Sequence, residues 1–271
     1  MAEDIYAEIA RLRAAGRNAA LATIIQVRGS IPSFETAKVL VREDGTTLGT
    51  IGGGCVEAEV WQAAREVLRE EKSRRMVFHL NHDAKDDAGL ICGGTLEVFI
   101  EPILAQPMAW LIGAGHVARA IAQVAEAAGF ATAVVDDREA FANRERFPGA
   151  REIHAGEFDE VLPRLDVGSN GYIAIVTRGH KGDMRALAWA VTTPARYIGM
   201  IGSKRKVIET YKELRRQGIP AGKLESVHAP IGLDIGAITP EEIGVAVVAE
   251  MIAVRRGAAA QSLGLGALAL R

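Results

Sequence analysis

The sequence predicts an α/β protein of two domains, and three observations carry the prediction. Up to about Gln106 the strand patterns include a tight hairpin and are interrupted by only two helical stretches, the mixed order of an α+β domain. From Met108 onward apolar strands alternate singly with helical segments, the signature of βαβ units around a parallel sheet. Pro102 and Pro107 bracket a short connector between the two patterns. The boundary is therefore expected near Gln106, with domains over 1–106 and 107–271.

In the first domain, residues 3–15 place Ile5, Ile9 and Leu12 at helical spacing among charges, predicting an amphipathic helix. Ala19–Val27 is apolar and β-branched, a buried strand, and the polar turn Arg28–Ser33 follows. Lys38–Val41 and Thr46–Gly49 flank Glu43-Asp44-Gly45, whose Asp-Gly step predicts a hairpin. The turn Gly52-Gly53-Gly54 then opens a helix to about residue 71, with Trp61, Ala64 and Leu68 on one side. Arg75–Leu80 and Thr95–Ile100 read as two further strands, separated by a polar loop and a second glycine run.

In the second domain, Ala109–Ile112 is the first strand and Gly113–Ala128 a glycine turn followed by a helix. Ala131–Val135 is the next strand and ends on Asp136-Asp137. Tyr172–Val176 and Tyr197–Met200 are the later strands, with helices between and after. The last helix runs to about Arg256, with Thr239 as cap, Pro240 at its first position and Glu242 at its third, a capping box. The tail from Ala258 is small and Gly/Ala-rich.

Bulk composition excludes several classes. Hydrophobic residues make up 49%, charged residues 24%, and the net charge is −2, as expected of a globular protein. No basic stripe exceeds Lys204-Arg205-Lys206, so nucleic acid is not an expected partner. No apolar run is long enough to span a membrane, and the acidic start lacks a secretory pattern. The expected compartment is the cytoplasm.

Both cysteines lie against glycine runs. Cys55 falls in the first turn of the helix that Gly52–Gly54 opens, where unpaired amides and the dipole favour an anion or a thiolate. Cys92 sits in Gly89-Leu90-Ile91-Cys92-Gly93-Gly94. A disulfide is the alternative, but two cysteines with no extracellular pattern read better as thiols at a ligand site. Two cysteines alone also fall short of a closed zinc site. A second cluster, His79, His82, Asp83, Asp86 and Asp87, matches no metal spacing and reads as a solvated loop.

Gly113-x-Gly115-x-x-Ala118 follows a strand, opens a helix and is succeeded by Asp136 about twenty residues on. That combination predicts a Rossmann-type fold, with Asp136 placed for a ribose diol and favouring NAD over NADP, Arg138 notwithstanding. His116 could touch phosphate or substrate, or serve only as a polar residue at the helix start. Two loops follow later strands at the edge where such sheets present ligands. One carries Arg178, His180 and Lys181, the other Ser203 with three cations after it, and together they suggest a pocket for phosphate or another polyanion. His228 and Asp234 stand in a third, turn-rich candidate segment.

Taken together, Gly49–Val60 (GTIGGGCVEAEV), Gly89–Gly94 (GLICGG), Gly113–Val117 (GAGHV), Val135–Arg138 (VDDR), Thr177–Lys181 (TRGHK), Tyr197–Lys204 (YIGMIGSK) and His228–Gly236 (HAPIGLDIG), followed by Thr239–Glu242 (TPEE), resemble the XdhC/CoxI family of xanthine dehydrogenase accessory factors. The stretches span nearly the whole chain in one order. The resemblance implies an N-terminal XdhC domain, a C-terminal Rossmann domain and a homodimer. It also implies a chaperone that binds molybdenum cofactor, protects it during sulfuration with a cysteine desulfurase as partner, and delivers it to a xanthine dehydrogenase-type hydroxylase. Cys55 and Cys92 would be soft donors for the molybdenum, Cys55 the nearer because it alone sits on a helix N-terminus. Gly29–Ala37 departs from the family, since Phe34 and Glu35 stand where cations are common, which weakens a phosphate or pterin contact there. The competing expectation is an NAD-dependent oxidoreductase, with His180 as acid or base and Arg178 or Lys181 holding an anionic substrate; a third is a Rossmann domain that binds NAD or another nucleotide only as a regulatory or structural ligand, or serves as a dimer and docking surface.

Overall fold

A computed structural model describes residues 4–30, 35–80 and 93–259. It divides into two compact units between Ala105 and Gln106.

The first unit is an antiparallel sheet. Helix α1 (Ile5–Ala14) is capped by the Asp4 carboxylate, which accepts the Tyr6 amide at 2.9 Å. Strands β1 (Ala19–Ser30), β2 (Lys38–Arg42) and β3 (Thr47–Gly49) form a meander, helix α2 (Gly54–Glu70) follows, and β4 (Arg74–Leu80) and β5 (Gly93–Ile103) complete the order β3-β2-β1-β5-β4. Period-two alternation sorts the strands' residues between two small cores. Ala20, Ala22, Ile24, Val39 and Val41 pack on Val60, Ala63, Ala64 and Val67 of α2, while Ala19, Leu21 and Leu40 share a cluster with Leu12 of α1. The buried stripe of α2 is thus Val60, Ala63, Ala64 and Val67. Trp61 and Leu68, expected on that stripe with Ala64, pack at its margin. β1 runs three residues past its expected end and shifts register between Ile24 and Gln26.

The second unit is an α/β sandwich around a parallel sheet, a Rossmann-type arrangement. Its strands are β6 (Met108–Ile112), β7 (Ala131–Asp136), β8 (Glu152–Ala155), β9 (Gly171–Ile175) and β10 (Tyr197–Met200), in the order β10-β9-β6-β7-β8 and all parallel. β6, β9 and β10 are buried at every residue, as a sheet covered on both faces requires. Leu111, Val134, Tyr172 and Tyr197 share one core with α3 (His116–Ala127) and α8 (Pro240–Arg256). Trp110, Ile112, Ile173 and Met200 share the other with α4 (Phe158–Val161), α5 (His180–Ala190), α6 (Lys204–Arg216) and α7 (Ala221–Glu225). Gly244 lets α8 lie close on α3, because a Cβ there would stand 2.9 Å from the backbone of Ala120. The capping box at Thr239 and Glu242 is formed, and among the described residues no helix is long and apolar enough to cross a membrane.

Candidate functional site

In the first unit the glycine turn is held open. Gly52, Gly53 and Gly54 have φ of +117°, +78° and +70°, and among the described residues a Cβ on Gly53 or Gly54 would meet nothing within 4 Å. Cys55 follows in the first turn of α2 with its thiol exposed. Three amides of this turn, those of Ile51, Gly52 and Gly53, already have an acceptor. Glu57 reaches back from α2, and its Oε2 accepts Gly53 N at 3.0 Å, Ile51 N at 3.3 Å and the Thr50 hydroxyl at 2.6 Å. Gly52 N donates to Thr50 Oγ1 at 3.1 Å. An anion bound here would take the place of an internal carboxylate. Beside it, Gly54, Glu57, Ala58 and Trp61 line a hollow of about 280 Å³ with Val39, Val41 and Thr47 of the hairpin.

Cys92 and the loop residues His82, Asp83, Asp86 and Asp87 lie outside the described residues. His79 is on β4, exposed, with Nδ1 3.4 Å from Thr95 Oγ1. Among the described residues no three His, Cys, Asp or Glu side chains gather in a way that could hold a metal ion. Of the departing segment, Phe34 lies outside the described residues, and the Glu35 carboxylate accepts Val27 N at 3.3 Å.

In the second unit the strand ends bring several sequence candidates together. Gly113 has φ +106°, and a Cβ there would lie 2.5 Å from the carbonyl oxygen of Val176, so this turn is pressed against the end of β9. Gly115 is open, with nothing within 4 Å of a Cβ, and His116 beside it is exposed. Asp136 does not face outward. Its Oδ2 accepts Ala114 N at 2.7 Å and Arg138 Nη2 at 3.0 Å, and its Oδ1 accepts Arg138 Nε at 2.8 Å and Arg138 N at 3.0 Å. Its side chain is 3% exposed. Burial pushes this carboxyl up, but the hydrogen bonds from Arg138 and Ala114 outweigh burial and hold it below its ordinary value. Arg138 is itself fixed, with its guanidinium 3.7 Å from the centroid of Phe141 and Nε 3.5 Å from Asp137.

Beyond β7, β8 and β9 opens a cavity of about 400 Å³ lined by Asp137, Phe158, Arg178, His180, Lys181 and Arg185 among others. Arg178 donates to Asp137 at 2.9 Å, and His180 Nδ1 lies 3.4 Å from the Thr210 hydroxyl. Lys181 makes no ion pair among the described residues. Ser203 stands elsewhere in role, because its Oγ caps α6 by accepting Lys206 N at 3.3 Å.

His228 joins the sheet by a parallel bridge to Gly199, and its Nδ1 is 3.2 Å from Glu250 Oε1. Asp234 is exposed and makes no ion pair among the described residues. Two further polar residues prove central, of which sequence reasoning passed over Glu250 and read Asp183 as part of a ligand loop. Glu250 of α8 accepts the Tyr197 hydroxyl at 2.6 Å and Gly232 N at 2.9 Å as well as pairing with His228. Asp183, which the sequence places at the end of a ligand loop, is wholly buried, accepting the Thr177 hydroxyl at 2.7 Å and pairing with Lys206.

The pattern described as the XdhC Rossmann domain matches residues 109–251, and that of the XdhC and CoxI family matches residues 12–80. The chain belongs to the XdhC family. Among its relatives, the protein YqeB of Escherichia coli K12 is 38% identical over 94% of this chain and 47% of its own length, so the chain spans about half of that relative. A Bacillus subtilis 168 protein described as a probable xanthine dehydrogenase subunit is 24% identical over 88% of this chain and 93% of its own. The molybdenum cofactor insertion chaperone PaoD of Escherichia coli K12 is 32% identical over 34% of this chain and 29% of its own. A crystal structure from Bacillus halodurans described as a xanthine dehydrogenase superposes with a TM-score of 0.51 at 22% identity, over 98% of this chain and 99% of that one, and shows the same fold.

Proposed function

We propose that this chain is a maturation factor that takes molybdenum cofactor as cargo, shields it while its terminal sulfido ligand is installed, and hands it to a xanthine dehydrogenase-type hydroxylase. The observation that carries the proposal is the exposed Cys55 thiol on a glycine turn where, among the described residues, a Cβ on Gly53 or Gly54 would meet nothing within 4 Å, in a chain of the XdhC family. Molybdenum cofactor brings its own dithiolene, so a holder needs one soft donor and room for the pterin rather than a chelating cluster. The described residues offer such a donor, the thiol in the open at Cys55. In this reading Cys55 faces the metal, with Cys92 the second candidate donor from the sequence. A cysteine desulfurase supplies the sulfur, and the working form is a homodimer.

The oxidoreductase reading finds its His180, Arg178 and Lys181 on one cavity of the second unit but not its ribose contact. It needs Asp136 free for a ribose, and Arg138 holds both carboxylate oxygens.

The test is anaerobic incubation of the protein with cofactor released from a donor enzyme, followed by gel filtration and quantification of co-eluting molybdenum and pterin. Near-stoichiometric retention by the parent and its loss in Cys55→Ala is the expected result. Equal retention by Cys55→Ala would remove that cysteine from the site, and no retention by the parent would refute the cargo reading.

A further inference from the structure

A Rossmann unit of ordinary design reads a dinucleotide with two devices, an acid after the second strand for the ribose and a glycine turn under the pyrophosphate. Here the two devices are bonded to each other. Asp136 accepts the Ala114 amide of the glycine turn, and Arg138 covers both of its oxygens while lying on Phe141. A ribose diol would have to expel a guanidinium that is paired, hydrogen-bonded and stacked.

A second set of donors lies at the carboxyl ends of β7, β8 and β9. The cavity there, about 400 Å³, is within the range of small-molecule sites. Its lining brings Arg178, His180, Lys181 and Arg185 against the acids Asp136, Asp137 and Glu157. Asp136 is neutralised by Arg138 inside the wall. Lys181 is unpaired among the described residues, and Arg178 is 63% exposed on a contact to Asp137 that it can exchange for a ligand. The same residues open α5, an eleven-residue helix whose cap, Gly179, contributes no side chain. The amides of His180, Lys181 and Gly182 have no acceptor among the described residues, and a Cβ on Gly179 would meet nothing within 4 Å. Gly182 fits closely beneath, since a Cβ there would lie 2.7 Å from Thr177 Oγ1 and 3.3 Å from Phe158, so loop, helix start and cavity floor form one packed piece.

The geometry points to a phosphate-ester site on α5, formed by its first-turn amides with Arg178, His180 and Lys181, which binds a small phosphorylated ligand without reading a ribose through Asp136. The amides and cations hold the phosphate, and Asp137 and Glu157 face the ligand's hydroxyl or amino groups across the cavity. The site is independent of the cargo reading, because it needs neither cysteine nor molybdenum.

Calorimetric titration of the full chain with inorganic pyrophosphate tests it in the absence of any molybdenum cofactor. The parent is expected to bind, and Lys181→Gln to weaken binding by about tenfold or more through loss of a charged hydrogen bond. Lys223→Gln, which neutralises an exposed lysine of α7 outside the cavity, is expected to leave binding unchanged. Gly115→Ala tells which turn holds the phosphate. Ligand on α5 leaves binding as in the parent, whereas ligand on the α3 turn meets the added methyl. The assignment fails if pyrophosphate does not bind, if the two lysine variants lose affinity equally, or if Gly115→Ala weakens binding as much as Lys181→Gln. It also fails if NAD binds more than about tenfold tighter than pyrophosphate, since that gain would mean that the ribose is read. Lys181 has no partner to lose among the described residues, so its variant is expected to unfold at the parent's temperature, and the titrations compare like with like.

Discussion

Glu57 folds back over the turn that opens its own helix and sets its Oε2 3.0 Å from the amide of Gly53. The turn that looked built for an external anion therefore carries an internal one, which also accepts Ile51 N and the Thr50 hydroxyl. Glu57→Ala is expected to cost about 1 kcal/mol of stability through loss of this cap, read by denaturant unfolding. The same variant is expected to retain more molybdenum cofactor in the gel-filtration assay, because the cargo's phosphate no longer competes with a tethered carboxylate. Lower retention alongside lower stability would mean that Glu57 supports the site instead of filling it.

Gly113 and Gly115 belong to one motif but answer to different forces. Alanine at 113 adds a methyl 2.5 Å from the Val176 carbonyl oxygen at a φ of +106°, and both objections come from backbone that has nowhere to go. Gly113→Ala is expected to destabilise the chain by about 3 kcal/mol or more, and Gly115→Ala by no more than about 0.5 kcal/mol. Thermal unfolding of the two variants side by side checks this, and equal melting temperatures would show that the turn relaxes.

The architecture was readable in the sequence wherever period and chemistry agree. The hairpin followed from Asp44-Gly45, the capping box from Thr239 and Glu242, and the parallel sheet from single alternation after Met108. β8 was not readable, because Glu152-Ile153-His154-Ala155 is a four-residue edge strand with only one large apolar side chain and no buried residue. The candidate site was less legible than the fold, for a physical reason. Residue type and spacing say that Asp136 ends β7, but the direction of its carboxylate depends on whether Arg138 turns back onto it. Glu250 gave a faint signal, as the one acid in the apolar run Val247–Met251, and its partners His228 and Tyr197 are far from it in sequence.

Asp183 and Lys206 tie α5 to α6 beneath the proposed phosphate site. The carboxylate is fully buried, and its other oxygen accepts the Thr177 hydroxyl at 2.7 Å. Asp183→Asn leaves the ammonium of Lys206 facing an amide, at an expected cost of about 2 kcal/mol, less than for a fully buried pair because Lys206 is partly exposed. Lys206→Met in the same background is expected to recover part of that loss. A double-mutant cycle by urea unfolding measures the coupling, and additive losses would show that the pair contributes nothing of its own.

The Glu250 cluster predicts a pH dependence. Burial pushes this carboxyl up, and the hydrogen bonds from His228, Tyr197 and the Gly232 amide outweigh burial, so it titrates below its ordinary value in the folded protein. Tyr197, raised by burial and then by the charge of Glu250, stays a hydrogen-bond donor throughout. A carboxyl depressed by folding stabilises the native state fully above its unfolded value, about 4.3, and that contribution is lost as pH falls through the lower, folded value. Glu250→Gln removes the charge but keeps an acceptor. It is expected to cost about 2 kcal/mol at neutral pH and to approach the parent as pH falls from about 5 to 3. Melting temperatures of parent and variant across that window decide the matter. Curves that run parallel down to pH 3 would mean that Glu250 is not the group whose protonation loosens the bridge from His228 to the sheet.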